Sequence, residues 1–437
     1  MTRLYEPFAY SDGPRAACAW SLSEGWSPLA GEAEVEVAVI GGGFTGLSAA
    51  LHLAQAGVSV AVLEAKVPGW GASGRNGGFC CMGGAKVDHA TLARRHGLGE
   101  ADAFLRAELE AIRLVEDLIA THGIEVSRHS DGEMQLAHNA REAAAFEHEV
   151  STLARLGVES ERLSPDALRE RGLNMTGSHG GLHVKTGFAL DPGRYVAGLA
   201  RAARDAGAKV HAQTPVTALK PGGAGWHLAT PRGEVTAKQV ILATNGYSDD
   251  ALPGWMAGRY LPVQSSALMT RPLTDEEQRA QGWTSDLMAY DTRILLHYFR
   301  KLPDGRFLFG MRGGIRSSRA AEAATRGRLI RHFHRLFPAW RDVEVARSWS
   351  GLACLSPGFT PYVGPVPEMD GVFAAYAYHG NGVAMGTYSG RLAARLALGE
   401  DQRPTVIATP PGRFPFGRFR RVLLAGAYAG YTLKDAL

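Results

Sequence analysis

The sequence predicts an α/β protein built on a βαβ unit, with a second region of mixed sheet and helices interleaved along the chain. Three observations carry this reading. An alternating apolar strand through Val35, Val37 and Val39 runs into Gly41-Gly42-Gly43-Phe44-Thr45-Gly46. A strong helix former, Leu47 to Ala54, and a second apolar strand, Val58 to Leu63, follow and end at Glu64. Two further strand-to-turn junctions, far along the chain, carry glycines of their own.

The turn after the first strand has the chemistry of a phosphate cradle. Gly41 permits the tight turn, Gly43 lets the backbone approach a pyrophosphate, and Gly46 lets the helix pack on the strand. Phe44 and Thr45 open the helix, whose N-terminus offers unpaired N–H groups and a positive dipole. Glu64, with Ala65 after it, stands 23 residues beyond Gly41, where a carboxylate accepts from a ribose diol. A glycine-rich surface loop would not explain Glu64.

A second loop, Gly69 to Gly78, carries Ala72, Ser73, Arg75, Asn76, Gly77 and Gly78, suited to a second part of a large cofactor. Gln239 to Thr244 is an apolar strand ending in Asn245-Gly246. His379-Gly380-Asn381-Gly382 then opens a helix from Val383 to Leu398, capped by Gly399. Turns this far apart imply one extended ligand, and FAD fits better than NAD.

The remaining elements follow from periodicity. Helices are expected over Gly99 to Gly123, Arg141 to Gly157 and Ser318 to Phe337, and from Asp191-Pro192 to Gly207. Lys209 to Leu219 reads as a strand. Arg259 to Leu273 and Met288 to Gly310 are β-rich, with Pro303-Asp304-Gly305 as a turn.

Composition bounds the class. The 437 residues suit two or three structural units, and 45% hydrophobic against 21% charged residues excludes wholesale disorder. The net charge of +4 resides in the tail after Gly412, where Arg413, Arg418, Arg420, Arg421 and Lys434 meet one acid, Asp435. A neutral main body argues against nucleic acid as a partner. Four cysteines show neither a disulfide framework nor zinc spacing, and His332 and His334, two apart on a helix, cannot share a metal on one face. No metal site is expected. Met1 to Ala16 has no apolar signal segment, and the late apolar run Val422 to Tyr431 is half a membrane span. These features point to a soluble cytoplasmic protein. The tail's phenylalanines and arginines would suit an anionic membrane surface, but packing on the cofactor domain is the favoured reading.

The runs "VIGGGFTGLSAALHLAQAGVSVAVLEA", "GASGRNGG", "ILATNGY" and "YHGNGVAMGTYSGRLAARLALG" resemble the D-amino-acid oxidase superfamily of flavoproteins. Within it, the likeness is to the gamma-glutamylputrescine oxidase branch, through the "YFR…LPDGRFLFG" hairpin to "FRRVLLAGAYAGYTLKD". The resemblance implies a Rossmann-like FAD-binding domain of glutathione-reductase type from residues 1–95, 187–258 and 346–437. Residues 96–186 and 259–345 would form the substrate domain. It further implies oxidation of an amine C–N bond by hydride transfer to flavin N5, then imine hydrolysis. Electrons would pass to oxygen or a quinone-type acceptor. A D-amino-acid or N-methyl amino-acid dehydrogenase, or a flavin-binding protein without turnover, stays open as an alternative.

The resemblance also assigns residues. Val216 matches the position over the adenine, Thr244, Asn245 and Gly246 a cofactor turn, and Gly380, Asn381, Gly382 and Val383 the flavin end. Some relatives attach FAD to a cysteine. Here Gly351 takes that place and Cys354 is displaced, so non-covalent FAD is expected. An oxygen-activating lysine is matched by Leu308 and a second lysine by Ala384, so slow reoxidation by oxygen is expected. Asn381, Tyr298, Arg300 and His379 are the candidate catalytic residues. Alternation puts Tyr298 and Arg300 on one face of their strand, where Arg300 would bind a substrate carboxylate.

Overall fold

The computed structural model describes residues 3–223 and 225–435, so the expected domain limits at 1 and 437 lie outside the described residues. Two eight-stranded sheets organise the chain. The first centres on strand Ala33–Ile40, which pairs in parallel with Val60–Leu63 on one side and Gly233–Leu242 on the other. Val37 to Ile40 and Val60 to Leu63 are all buried, because a parallel sheet covered on both faces demands continuous apolar strands. Lys209–His211 and Val372–Tyr376 extend the parallel set, and Tyr362–Pro365 closes one edge antiparallel. A hairpin of Ala218–Gly222 and Gly225–Thr230 branches from Gly233–Leu242.

Helices Phe44–Gln55, Leu98–Thr121, Pro192–Asp205 and Ala384–Ala397 bury their apolar faces in one cluster with this sheet. Their starts are chemically marked. Asp191 accepts from the N–H groups of Gly193 and Arg194 with Pro192 at the first helical position, and Ser318 caps helix Arg319–Leu336.

The second sheet runs Val345–Leu355, Leu261–Thr270, Phe307–Arg312, His297–Lys301, Met288–Asp291, Glu133–Leu136, Gly181–Val184 and Ser160–Leu163. It is antiparallel except where Met288–Asp291 lies alongside Glu133–Leu136. Alternation divides its faces. Phe299, Phe307 and Phe309 pack with Phe333, Phe337, Trp283 and Trp340 under helix Arg319–Leu336. Tyr298, Gly310 and Arg312 occupy the opposite face, toward the first sheet. Pro303-Asp304-Gly305 makes the expected turn, closed by Leu302 N–H to the Arg306 carbonyl at 2.8 Å.

Two expectations change. Lys209 to Leu219 is not one strand: it breaks after His211, Gln213 adopts φ 49°, and pairing resumes only at Ala218. Pro215 has no N–H to give a ladder, and the N–H groups of Gln213 and Thr214 instead donate to the Lys66 and Glu64 carbonyls. The tail is docked across both regions, on Asp250 and Glu6 from segments expected in the cofactor domain and on Leu261 and Val263 of the second sheet. In helix Arg420–Lys434, Arg420 makes a two-pronged pair with Asp250, Arg421 pairs with Glu6, and Leu424 is buried with Leu261 and Val263. Phe416, Phe419 and Val422 remain exposed. No helix of the described residues is long and apolar enough to cross a membrane.

Candidate active site

A cavity of about 610 Å³ runs from Glu64 at one end to Asn381 and Arg312 at the other. Its floor is the first glycine turn. Gly41 holds φ 110°, and a Cβ there would stand 2.7 Å from the Ala243 carbonyl oxygen. A side chain on Gly46 would collide with the Gly41 carbonyl, so this glycine serves helix packing and does not line the cavity, whereas Gly41, Gly43, Phe44 and Thr45 do. Ser73 Oγ accepts the Phe44 N–H at 3.0 Å, stitching the second loop onto the helix start.

Glu64 lines the cavity beside Ala65. Its carboxylate accepts from the N–H of Gly42 at 2.7 Å and of Lys66 at 2.8 Å. Burial raises its pKa while these two bonds oppose that. Each oxygen keeps a lone pair for a further donor. Val216, between Pro215 and Thr217, lies on the wall of the same cavity.

The second loop is held by its own side chains. Arg75 donates to the carbonyls of Trp70, Gly71 and Ser350, and Asn76 donates to those of Ala72 and Ser73 while accepting from Gly78 N–H. Both line the cavity with Ala72, Ser73 and Gly77, but their polar groups are committed to the loop. Gly78 and Gly246 were expected at the cofactor as well. Neither lines the cavity, because Gly78 packs on the Leu190 carbonyl and Gly246 on the carbonyls of Leu352 and Ala353. Thr244 and Asn245 do line it, and Asn245 Oδ1 accepts from Ala377 N–H at 3.0 Å.

At the far end the turn His379–Val383 clamps the wall Cys81–Lys86. Asn381 Nδ2 donates to the Cys81 carbonyl at 2.6 Å, and His379 Nδ1 bonds the Gly84 carbonyl at 2.8 Å. His379 Nε2 accepts from Ser356 N–H at 3.2 Å. Both ring nitrogens are thus used, and burial drives the imidazole pKa down to about 3. His379, expected among the catalytic candidates, lines the cavity with both ring nitrogens already engaged, so it clamps the two walls together. Asn381 Oδ1, by contrast, is buried without a partner among the described residues.

Tyr298 lines the cavity, its hydroxyl 3.1 Å from Ser265 Oγ. Arg300 does not, although alternation correctly places it on the same face. It is 1% exposed and holds the Gly77 and Leu190 carbonyls at 2.8 and 2.7 Å, with His129 Nε2 at 2.8 Å. Its guanidinium is spent on the loop that carries Gly77 and cannot meet a substrate. Leu308 likewise lies off the cavity, buried in an apolar cluster with Trp20, Met269 and Trp349.

Sequence reading missed the cations that are there. Arg312 lines the cavity and donates from Nη2 to the His379 carbonyl at 2.7 Å. Lys86, itself exposed, lines it as well at the end of the wall Cys81–Lys86. Tyr290 lines the wall, hydrogen-bonded to the buried Glu133, which with Glu108 is raised by desolvation to about 8. Alternation along Leu308, Gly310 and Arg312 was the available signal for Arg312. Lys86 sits in an irregular loop with no periodicity to read.

Known proteins define the class. The model of the family DAO, FAD dependent oxidoreductase, matches residues 36–396. The chain belongs to this family of FAD-dependent oxidoreductases. It is 30% identical over 410 residues to gamma-glutamylputrescine oxidoreductase of Escherichia coli, spanning 92% of this chain and 93% of that one. It is also 30% identical to the probable oxidoreductase OrdL of Rhizobium meliloti over 416 residues, 93% of this chain and 94% of the relative. Glycine oxidase from Geobacillus kaustophilus shares the fold with a TM-score of 0.70 at 22% identity, covering 85% of this chain and 96% of that structure.

The residues present fit FAD. A single cavity joins a carboxylate with free lone pairs, the start of helix Phe44–Gln55, and at its far end an amide oxygen that is without a partner among the described residues.

Proposed function

We propose that this chain oxidises the C–N bond of an amine that also bears a carboxylate, of the gamma-glutamylputrescine type. The observation that carries this is Arg312, a guanidinium open to the cavity beside Tyr298 and the Asn381 turn. A planar fork of donors matches a carboxylate, and the likeness to gamma-glutamylputrescine oxidoreductase supports the same class.

FAD, when bound, supplies the two-electron acceptor for the C–N bond. Glu64 and Ala65 would hold the ribose, and Val216 would cover the adenine. The N–H groups opening helix Phe44–Gln55 would take the pyrophosphate, while Ala72, Ser73, Gly77, Thr244 and Asn245 wall the middle. Gly380, Asn381, Gly382 and Val383 would line the flavin end, where the start of helix Ala384–Ala397 would stabilise developing negative charge. Tyr298 and Tyr290 narrow the substrate space and exclude water. A non-covalent cofactor is supported at two positions. A side-chain carbon on Gly351 would stand 2.7 Å from Arg75 Cδ, and burial pushes the Cys354 thiol up to about 12, away from its reactive thiolate. Electrons leave to oxygen or a quinone-type acceptor. Leu308 does not argue against oxygen, since Arg312, farther along the same strand, and Lys86, from an irregular loop, bring basic groups to the cavity.

Steady-state turnover of gamma-glutamylputrescine, putrescine, glycine, sarcosine and D-alanine, with the carbonyl product trapped and weighed, tests the reading. A kcat/KM at least tenfold higher for gamma-glutamylputrescine than for putrescine is expected. Equal values would remove the carboxylate from recognition.

A further inference from the structure

The family model ends at residue 396, yet the chain beyond it holds a turn whose next residue, Leu296, lines the cavity. Helix Arg420–Lys434 is fixed at its start by Arg420, whose Nε donates to the Tyr260 carbonyl at 2.7 Å and whose Nη atoms meet Asp250 at 2.7 and 3.0 Å. Arg421 adds Glu6 at 2.6 Å and the Leu4 carbonyl at 2.8 Å. One turn on, Leu424 is buried, and Tyr428 packs against the same apolar group.

The helix ends on a second contact. Asp435 Oδ1 accepts from Ile294 N–H at 2.9 Å, and Oδ2 accepts from Leu295 N–H at 3.0 Å. These residues form the turn between strands Met288–Asp291 and His297–Lys301. The strands deliver Tyr290 and Tyr298 to the cavity, and the turn itself delivers Leu296. The base of this hairpin is already rigid: Asp291 holds Arg293 and His297 at 2.6 Å each, and His297 Nε2 meets His332 Nδ1 at 2.8 Å. Its tip depends on Asp435, because two successive N–H groups in a turn have no ladder partner of their own.

We propose that the C-terminal helix braces the wall of the substrate site from outside, with Asp435 as the positioning residue for the Ile294–Leu296 turn and Tyr428 as part of the apolar seat that holds the helix in place. The segment thereby sets which substrates the cavity admits. Neither residue touches the cofactor region, so the helix acts on substrate affinity and leaves flavin content alone. The inference rests on the reading that substrate lies beside Arg312.

Asp435→Ala in the full-length flavoprotein tests it, with Asp435→Asn as the conservative partner that keeps one acceptor. Trypsin reports the turn directly, since Arg293 precedes Ile294. Cleavage after Arg293 is expected at least fivefold faster in Asp435→Ala, intermediate in Asp435→Asn, with flavin per chain unchanged. KM for gamma-glutamylputrescine is expected to rise at least fivefold in Asp435→Ala while kcat moves less than twofold. Unchanged cleavage would overturn the latch whatever the substrate is. Faster cleavage with an unchanged KM would overturn the role in admission. If gamma-glutamylputrescine is not turned over by the wild type, the substrate reading fails and the cleavage result still decides the latch.

Discussion

Arg312 donates from Nη2 to the backbone carbonyl of His379 at 2.7 Å, so the second sheet and the glycine turn of the first meet at one cation. That bond fixes one arm of the guanidinium and aims the group at the cavity. Two arginines on neighbouring strands therefore have opposite fates, Arg312 facing substrate space and Arg300 buried in the wall.

Their substitution separates the roles. Arg312→Met should raise KM for gamma-glutamylputrescine by roughly thirtyfold, the loss of about 2 kcal/mol for one charge-assisted pair, with normal flavin content. Arg300→Met strips the Gly77 and Leu190 carbonyls of their donor and should cost about 3 kcal/mol of stability and lower flavin content. Denaturation midpoints and flavin absorbance per chain check both. A KM effect confined to Arg300→Met would reverse the assignment.

This pair shows what the sequence could and could not convey. The glycine turn, Glu64 and the caps Asp191 and Ser318 were legible because they are local, written within one turn or one βαβ unit. Alternation also gave the correct face for Tyr298 and Arg300. Depth along that face was not legible, because Trp20 and the Gly77 loop, distant in sequence, decide that Arg300 is covered. Lys86, Glu108 and Glu133 converge from a loop, a helix and a strand, so no spacing foretold them.

Gly43→Ala should yield folded, flavin-poor protein. Its Cβ would lie 2.8 Å from Ser73 Oγ, displacing the group that accepts the Phe44 N–H. The doubly substituted Gly43→Ala/Ser73→Gly chain removes that collision and should recover part of the flavin. Full flavin content in the single variant would show that this contact is not needed for the cofactor turn.

Glu133 predicts a pH effect on stability. Its carboxyl is raised to about 8 in the fold against 4.5 when free. Below 4.5 both states hold the proton. Between 4.5 and 8 the unfolded chain releases it and the fold does not, so stability falls as pH rises across that window. Glu133→Gln removes the penalty. The melting-temperature difference between variant and wild type should shift in the variant's favour from pH 5 to pH 8. A difference independent of pH would contradict the assignment.

Lys86 bears on the electron acceptor. A cation near the flavin stabilises superoxide, the first product of one-electron transfer to oxygen. Lys86→Met should slow reoxidation of the reduced enzyme by oxygen at least tenfold, corresponding to about 1.4 kcal/mol in the barrier, while leaving its reoxidation by a quinone acceptor within twofold. Identical oxygen rates in stopped flow would place the activating charge elsewhere.

The central claim, amine oxidation at a non-covalent flavin, is tested most directly by mixing the purified yellow protein anaerobically with gamma-glutamylputrescine and following absorbance near 450 nm. Complete bleaching is predicted, after which acid precipitation of the same sample should leave all the flavin in the supernatant as FAD. Absorbance that stays unchanged with this amine would contradict the proposed substrate, and flavin retained on the precipitated chain would contradict its non-covalent attachment.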